Sequence, residues 1–414
     1  SKSLSYKLML ANSLIHSTDK GIFAMLPIGQ RIIDKLIRII ESEFMKIGAQ
    51  KLEVPILGNK EIWSKSGRWE EMSSEMFKLE DRLKHHFCLQ PTAEEMITEL
   101  VRNFGTLRST QFPLLIYQSS PKFRDEMNPR FGLLRGKQFL MNDLYSFDVD
   151  EKAAKDTYKI VCQTYERIFR HHLKLENLFI VEANPGAMGG SISHEYQLPN
   201  SCAEDKVYLC KKCSTAYKFE VGLEAKTDCI ACKSSDSLAV VDTIEVGHTF
   251  QLGDKYSSVF NATMSDNKTP YYMCCFGIGV TRTVAASIDV LSTSQNAMRL
   301  PESISPFKLA VILPNSDSHP NTLFVNSFIH ELDQLPTLRN EILVDDRLDK
   351  SIGRKLAEMN QLGVPHILVA PGKKYVDFCE SPRLEYYRAI PKSDQLLSEG
   401  LVSHSQIFQI AHML

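Results

Sequence analysis

The sequence predicts an α+β domain over residues 1–300, an antiparallel sheet with flanking helices, then a linker at 301–306 and a small α/β domain over 307–414. Three observations carry that prediction. Amphipathic helices read at 28–47 and 151–172. Between them, apolar segments of strand length at 114–117 and 139–144 bracket a long basic loop, as two antiparallel strands would. Beyond 306 the pattern changes to apolar strands alternating with helical segments, which builds an α/β layer.

The 414 residues suffice for two or three domains, and 43% apolar with 24% charged residues is ordinary for a globular chain. No run approaches the ~18 apolar residues of a membrane span, so no membrane partner is expected. Lys and Arg (48) nearly balance Asp and Glu (50), so a nucleic-acid partner would be held by local basic patches and not by overall charge. The ten cysteines include two C-x-x-C pairs and the adjacent Cys274 and Cys275, which suits a reducing compartment better than a disulfide framework. Residue 1 is Ser, not Met, and no targeting peptide is legible.

In chain order, Ile28, Ile32, Ile33, Leu36, Ile37, Ile40, Phe44 and Ile47 form one stripe on the first helix. Gly48 stops it, and Pro55 limits the following extended segment to an edge or to a strand end. Thr92 reads as an N-cap with Glu95 three residues on, a capping box. In 119–147, alternation puts Arg124 and Glu126 on one face; an unpaired cation and anion are expensive in a core, so that face implies a polar ligand, whereas a solvated surface hairpin is the plainer alternative. Three glycines between 186 and 190 mark a loop with unusual backbone freedom, or a surface turn. Cys210, Cys213, Cys229 and Cys232 have the C-x2-C-x15-C-x2-C spacing of a four-thiolate zinc ribbon, the alternative being free thiols. A polar interruption with Glu245 and His248 crosses a strand-like run at 242–258. From 273 an apolar strand, a Gly-x-Gly turn and a helix starting near Val280 put Arg282 in a first helical turn, where the dipole disfavours a cation unless an anion binds there. In the C-terminal part, strands read at 307–313, 341–344 and 365–369 and helices at 322–335 and 352–362. Nothing in that part looks catalytic.

Taken whole, K-F-R-D-E…P-R-F-G…R-x-x-x-F-L-M-x-D-x-Y-S-F closely resembles motif 2 of class II aminoacyl-tRNA synthetases, and of prolyl-tRNA synthetases in particular. The 28–55 helix and strand resemble motif 1, and G-I-G-V-T-R at 277–282 resembles motif 3. P-T-A-E-E at 91–95, G-G-S-I-S-H-E-Y at 189–196 and G-H-T-F-Q-L-G-D-K-Y-S at 247–257 are similar to prolyl-enzyme segments, and V-D-D-R and G-V-P-H in the last domain to class IIa anticodon-binding domains. One departure is Lys137-Gln138, where the family more often has Arg-Glu.

The resemblance implies a class II synthetase fold and an enzyme that activates proline with ATP and Mg2+ to prolyl-adenylate, then transfers it to the 3′ end of tRNA(Pro). It implies that Arg124 bridges the α-phosphate and the proline carboxylate and that Arg282 pairs with the γ-phosphate. Glu126 would accept from the adenine amino group, Phe139 would stack on the ring, and Arg130 and Arg135 would reach the outer phosphates or the tRNA end. Glu245 would lie near the ribose and His248 near the substrates. Thr92 and Glu94 would recognise the proline amino group, with Ser193, His194 and Glu195 gating the pocket. Motif 1 implies a homodimer, and the four cysteines a structural Zn2+. Many bacterial-type relatives in this family carry a large editing domain after a segment like 203–224; here only the cysteine-bearing stretch 202–240 stands in that place. A trimmed bacterial-like enzyme implies the mitochondrial matrix, or otherwise the cytoplasm. Rival readings are a tRNA-binding accessory protein that kept the fold without catalysis and a tRNA-independent adenylating ligase. Arg124, Glu126 and Arg282 argue against the first and the last domain against the second.

Overall fold

The computed structural model describes residues 3–105, 107–202, 204–218, 228–266, 268–315, 320–370 and 383–414. It divides into two compact units, one of 1–3, 17–24 and 33–286, the other of 4–16, 25–32 and 287–414. The expected linker at 301–306 lies within the second unit, as a short turn Glu302–Ile304.

The first unit is built on a nine-stranded sheet. From one edge its strands run Ala216–Lys218, Asp205–Cys210, Leu238–Gly253, Tyr272–Gly279, Gln138–Asp148, Leu114–Phe123 and Gln50–Lys51. Every neighbouring pair is antiparallel except the last, which is parallel. Leu238–Gly253 is 16 residues long because it serves two partners end to end: Asp205–Cys210 pairs with its first third, and Ile192–Pro199 with the stretch from Thr243 to Gln251. The two strands read around the basic loop extend farther than their apolar cores suggested, in continuous register from Leu114 opposite Phe147 to Phe123 opposite Gln138. Polar Gln118, Lys122 and Asp143 are buried in this pair, which is why hydrophobicity alone stopped short.

The helix Pro27–Lys46 buries Ile32, Ile33, Leu36, Ile40 and Phe44, the stripe read from the sequence. The second amphipathic helix is regular over Glu151–Glu166 and continues as wider turns through Arg167–His172. It lays Tyr158 and Tyr165 against Phe276 of the sheet, with ring centroids 5.5 and 6.3 Å apart. The capping box is not formed: the helix is Glu94–Arg102, Ala93 occupies the cap position without a side-chain bond, and Thr92 and Glu95 have other partners. The Arg68 guanidinium outbids a backbone N–H for the Glu95 carboxylate, and the Thr92 hydroxyl donates to the Glu94 carboxylate instead.

In the second unit a five-stranded sheet runs Ile342–Asp345, Leu309–Ile312, His366–Val369, Arg383–Ala389, Leu396–Ser403. The first three strands are parallel and are those read from the sequence; the last two form an antiparallel extension. The helices Ile352–Leu362 and His404–Met413 flank it. Of the segment 203–224, Ala203 and residues 219–224 lie outside the described residues.

Candidate active site

The sheet of the first unit carries a cavity of about 320 Å3. Its wall begins at the end of the Leu114–Phe123 strand. There Arg124 N donates to Lys137 O at 2.9 Å, which keeps the alternation going past the last paired strand residue. Arg124 and Glu126 therefore both line the cavity, while Asp125 turns outward to meet Lys137 Nζ at 2.9 Å. The Arg124 guanidinium lies over the Phe139 ring, 5.3 Å from its centroid.

Arg282, in the first turn of the helix Val280–Leu291, reaches back into the same cavity. Its Nε donates to Leu134 O at 2.8 Å and its Nη1 to Glu245 O at 3.1 Å. Burial and then the like charge of Arg282 depress the basicity of Arg124, and the buried Nε of Arg124 has no hydrogen-bond partner. An anionic ligand would relieve both penalties. Burial raises the Glu245 carboxyl, but the His248 imidazole at 3.5 Å, Arg282 and Arg124 together hold it well below the usual carboxylate range. The His248 ring stacks on Phe250 at 3.9 Å and its Nε2 meets Ser193 Oγ at 2.5 Å, so its orientation is fixed from two sides.

The opposite end of the cavity is acidic. Glu94 lines it, and Thr92 Oγ1 donates to the Glu94 oxygens at 2.7 and 2.8 Å. Beside Glu94 lies Arg68, buried and itself part of the cavity lining, whose Nη1 also faces Glu95. Burial pushes the Glu95 carboxyl up, against the pull of Arg68.

Pro185, Ala187 and Met188 form the cover. Lys255 Nζ and Tyr256 OH donate to the Met188 carbonyl, each at 3.2 Å, and Lys255 also to Ala187 O at 2.9 Å. Gly190 lets the chain turn into the sheet: its φ is +102°, and a Cβ there would stand 2.0 Å from Gln251 O. The strand Ile192–Pro199 follows, so the residues expected in a gating loop are instead held in a sheet. Alternation puts Ser193 and Glu195 on one face, Ser193 against His248 and Glu195 in an ion pair with Lys218. His194 falls on the other face, bonded through Nδ1 to Tyr158 OH at 2.8 Å, and none of the three lines the cavity itself, Ser193 reaching it only through His248. Arg135 and Arg130 also stand outside it: Arg135 bonds Glu126 at 2.9 Å and Glu204 at 3.4 Å, and Arg130 approaches Glu204 at 3.8 Å.

Sequence reasoning missed Arg68, Asp143, Lys218 and Glu204. Asp143 lines the cavity and gathers Lys122 Nζ at 2.9 Å, Gln118 at 2.9 Å and Tyr145 OH at 2.7 Å. The available signal was charge within strand-like apolar runs, since Lys122 and Asp143 sit in the two paired strands. For Lys218 and Glu204 no local signal exists, because both partners are far off in sequence.

The four cysteines converge. Their sulfurs lie within 4.8 Å of one another, with Cys210 to Cys232 at 3.7 Å and Cys213 to Cys229 at 3.6 Å. Tetrahedral thiolates at a Zn–S distance of about 2.3 Å stand about 3.8 Å apart, so the set fits that ion. Lys212 N and Cys232 N point at Cys210 Sγ and Cys229 Sγ at 3.4 and 3.5 Å, the bonds that offset thiolate charge.

An antiparallel sheet bearing one arginine from a strand hairpin and a second from a following strand-to-helix turn defines a class II aminoacyl-tRNA synthetase core. The family model described as the tRNA synthetase class II core domain (G, H, P, S and T) matches residues 77–291, more than half of the chain. The chain is 40% identical over 380 residues to the probable mitochondrial proline–tRNA ligase of Homo sapiens, covering 90% of this chain and 78% of that one. It is 30% identical to the proline–tRNA ligase of Syntrophotalea carbinolica, covering 87% and 88%. That alignment spans 514 positions, more than the 414 residues here, so the bacterial relative carries a long insertion. The Giardia lamblia prolyl-tRNA synthetase in complex with prolyl-adenylate shares the fold, with a TM-score of 0.76 at 18% identity over 98% of this chain and 77% of that one. The chain belongs to the proline–tRNA ligase family of class II synthetases.

Proposed function

We propose that this protein activates proline with ATP and charges tRNA(Pro) with it, and that the two ends of the cavity divide the work. The observation that carries the reading is the polarity of the cavity: two guanidiniums and an orphaned Nε at one end, a buried carboxylate with its Thr92 partner at the other. A zwitterionic amino acid bound with its ammonium at Glu94 sends its carboxylate toward Arg124. Glu126 and Phe139, which flank Arg124, supply an acceptor and a ring face for adenine. Glu245 and His248 line the wall between the two ends, and Ser193 steadies His248.

The reaction needs no covalent enzyme intermediate. The proline carboxylate attacks the α-phosphorus in line; Arg124 holds the nucleophile and the α-phosphate together, and Arg282 takes charge that develops on the leaving pyrophosphate. Mg2+ when bound would neutralise phosphate charge, and Glu245 offers carboxylate oxygens of the kind that this hard cation takes. The ribose hydroxyl of the tRNA end then attacks the mixed anhydride. Arg130 and Arg135 sit on the loop at the cavity mouth, paired with acids that a polyanion would displace.

The edge position of Gln50–Lys51 and its preceding helix supports a homodimer through motif 1. The names of the mammalian relatives support a mitochondrial site of action. The four cysteines hold one structural Zn2+, and the strand Ala216–Lys218 that follows the first pair delivers Lys218 to Glu195. Charging of tRNA(Pro) with labelled proline by the purified protein tests the function. Charging of another tRNA, or none with every substrate present, would reject it.

A further inference from the structure

Glu94 and Glu95 are consecutive, and both address one guanidinium. Arg68 Nη1 lies 3.0 Å from Glu94 Oε2 and 3.1 Å from each Glu95 oxygen, and Ser66 Oγ holds Glu95 Oε1 at 2.7 Å. The three side chains are 0%, 2% and 0% exposed, with the Trp63 and Tyr256 rings beside the guanidinium at 5.2 and 5.7 Å. Glu94 and Arg68 line the cavity and Glu95 does not. One buried cation can balance one carboxylate, so a second buried carboxylate has no evident structural purpose and a large desolvation cost.

We propose that Glu95 and Arg68 are positioning residues that set the charge at the amine end of the pocket: Glu95 cancels Arg68, which leaves the Glu94 charge for the secondary ammonium of proline. The inference rests on Glu94 as the partner of that ammonium. Without Glu95, Arg68 would pair with Glu94 alone, and an incoming ammonium would meet a neutral pair with a guanidinium directly beside the carboxylate. The pocket would then repel a cation while still fitting its shape. With Arg68 also removed, Glu94 would regain its free charge.

Proline-dependent ATP–pyrophosphate exchange on the full chain tests this with Glu94→Gln, Glu95→Gln and the double variant Arg68→Met/Glu95→Gln. Glu95→Gln, nearly isosteric, is expected to raise the KM for proline about tenfold or more with the KM for ATP unchanged. The double variant is expected to return it to within about threefold of the parent, a reversal that a purely structural role for the pair would not produce. A second readout is inhibition by tetrahydrofuran-2-carboxylate, which carries a neutral ether oxygen in place of the ammonium. Glu95→Gln is expected to leave that inhibition intact. If Glu94→Gln leaves the proline KM unchanged, the reading of Glu94 itself fails. If Glu94→Gln raises it but Glu95→Gln does not, or if Glu95→Gln weakens the ether analogue as much as proline, the charge-setting role is overturned. A folded double variant no better than Glu95→Gln overturns it as well.

Discussion

Replacing Arg124 with Ala separates catalysis from folding more cleanly than any other single change in this cavity. Arg124 takes part in no ion pair among the described residues, its Nε is orphaned, and its nearest cationic neighbour, Arg282, depresses its basicity. Its guanidinium lies against the Phe139 face at 5.3 Å, a contact worth about 1 kcal/mol. Removal ends the repulsion with Arg282 and leaves His248 and Arg282 to hold Glu245, so the fold should lose little. The transition state gathers charge where that guanidinium points, in a site partly shielded from water. Losing such a partner costs about 3 kcal/mol, or two orders of magnitude in rate. The assay is proline-dependent pyrophosphate exchange beside a thermal melt. The expected result is kcat/KM down at least about a hundredfold with an unchanged melting temperature. Near-normal exchange would refute the reasoning, and a collapsed melt would mean that Arg124 holds the fold.

Metal analysis is expected to find about one zinc per chain. Cys213→Ser should release it, lower the melting temperature, and reduce proline activation by loosening Lys218 from Glu195; a zinc-free protein with an unchanged melt would mean free thiols. Gly190→Ala, which forces a Cβ onto Gln251 O, should raise the KM for proline, and wild-type kinetics would show that the cover does not depend on that turn. Burial raises the Asp148 carboxyl to about 6, with Thr157 and Ser146 opposing it, so the fold binds that proton more tightly than the unfolded chain does. Stability is therefore lost as pH rises from about 4 to 6, and Asp148→Asn should raise the melting temperature at pH 8 but not at pH 4. Equal effects at both pH values would reject that sign. A proline pocket admits the smaller alanine, since a missing methylene gives only about 1 to 3 kcal/mol of discrimination. Slow alanine activation is expected, without hydrolysis of preformed Ala-tRNA(Pro); enzyme-dependent release of alanine would reveal an editing site.

Periodicity found the long helices because each buries one apolar stripe, and the parallel strands of the second unit were legible as short apolar runs because the central ones are buried on both faces. The same reasoning stopped short on Leu114–Phe123 and Gln138–Asp148, where Lys122 and Asp143 satisfy each other inside the sheet and erase the apolar signal. Arg124, Glu126 and Arg282 were legible as a site because local alternation and a strand-to-helix turn fix where they point, and Phe139 through the resemblance to motif 2. Thr92 and Glu95 looked like a capping box because that motif is local, but Thr92 bonds Glu94 two residues on, and the partner of Glu95 arrives from elsewhere: Arg68 stands 27 residues away. His194 was misplaced for a simpler reason. A glycine-rich approach suggested a loop, but Ser193 through Gln197 are strand, and alternation turned His194 toward Tyr158.

The most direct test of the central claim is amino-acid-dependent ATP–pyrophosphate exchange by the purified protein across all twenty amino acids. The account predicts strong exchange with proline, weak exchange with alanine and background with the rest. Background exchange with proline, or a stronger response to any other amino acid, would contradict it.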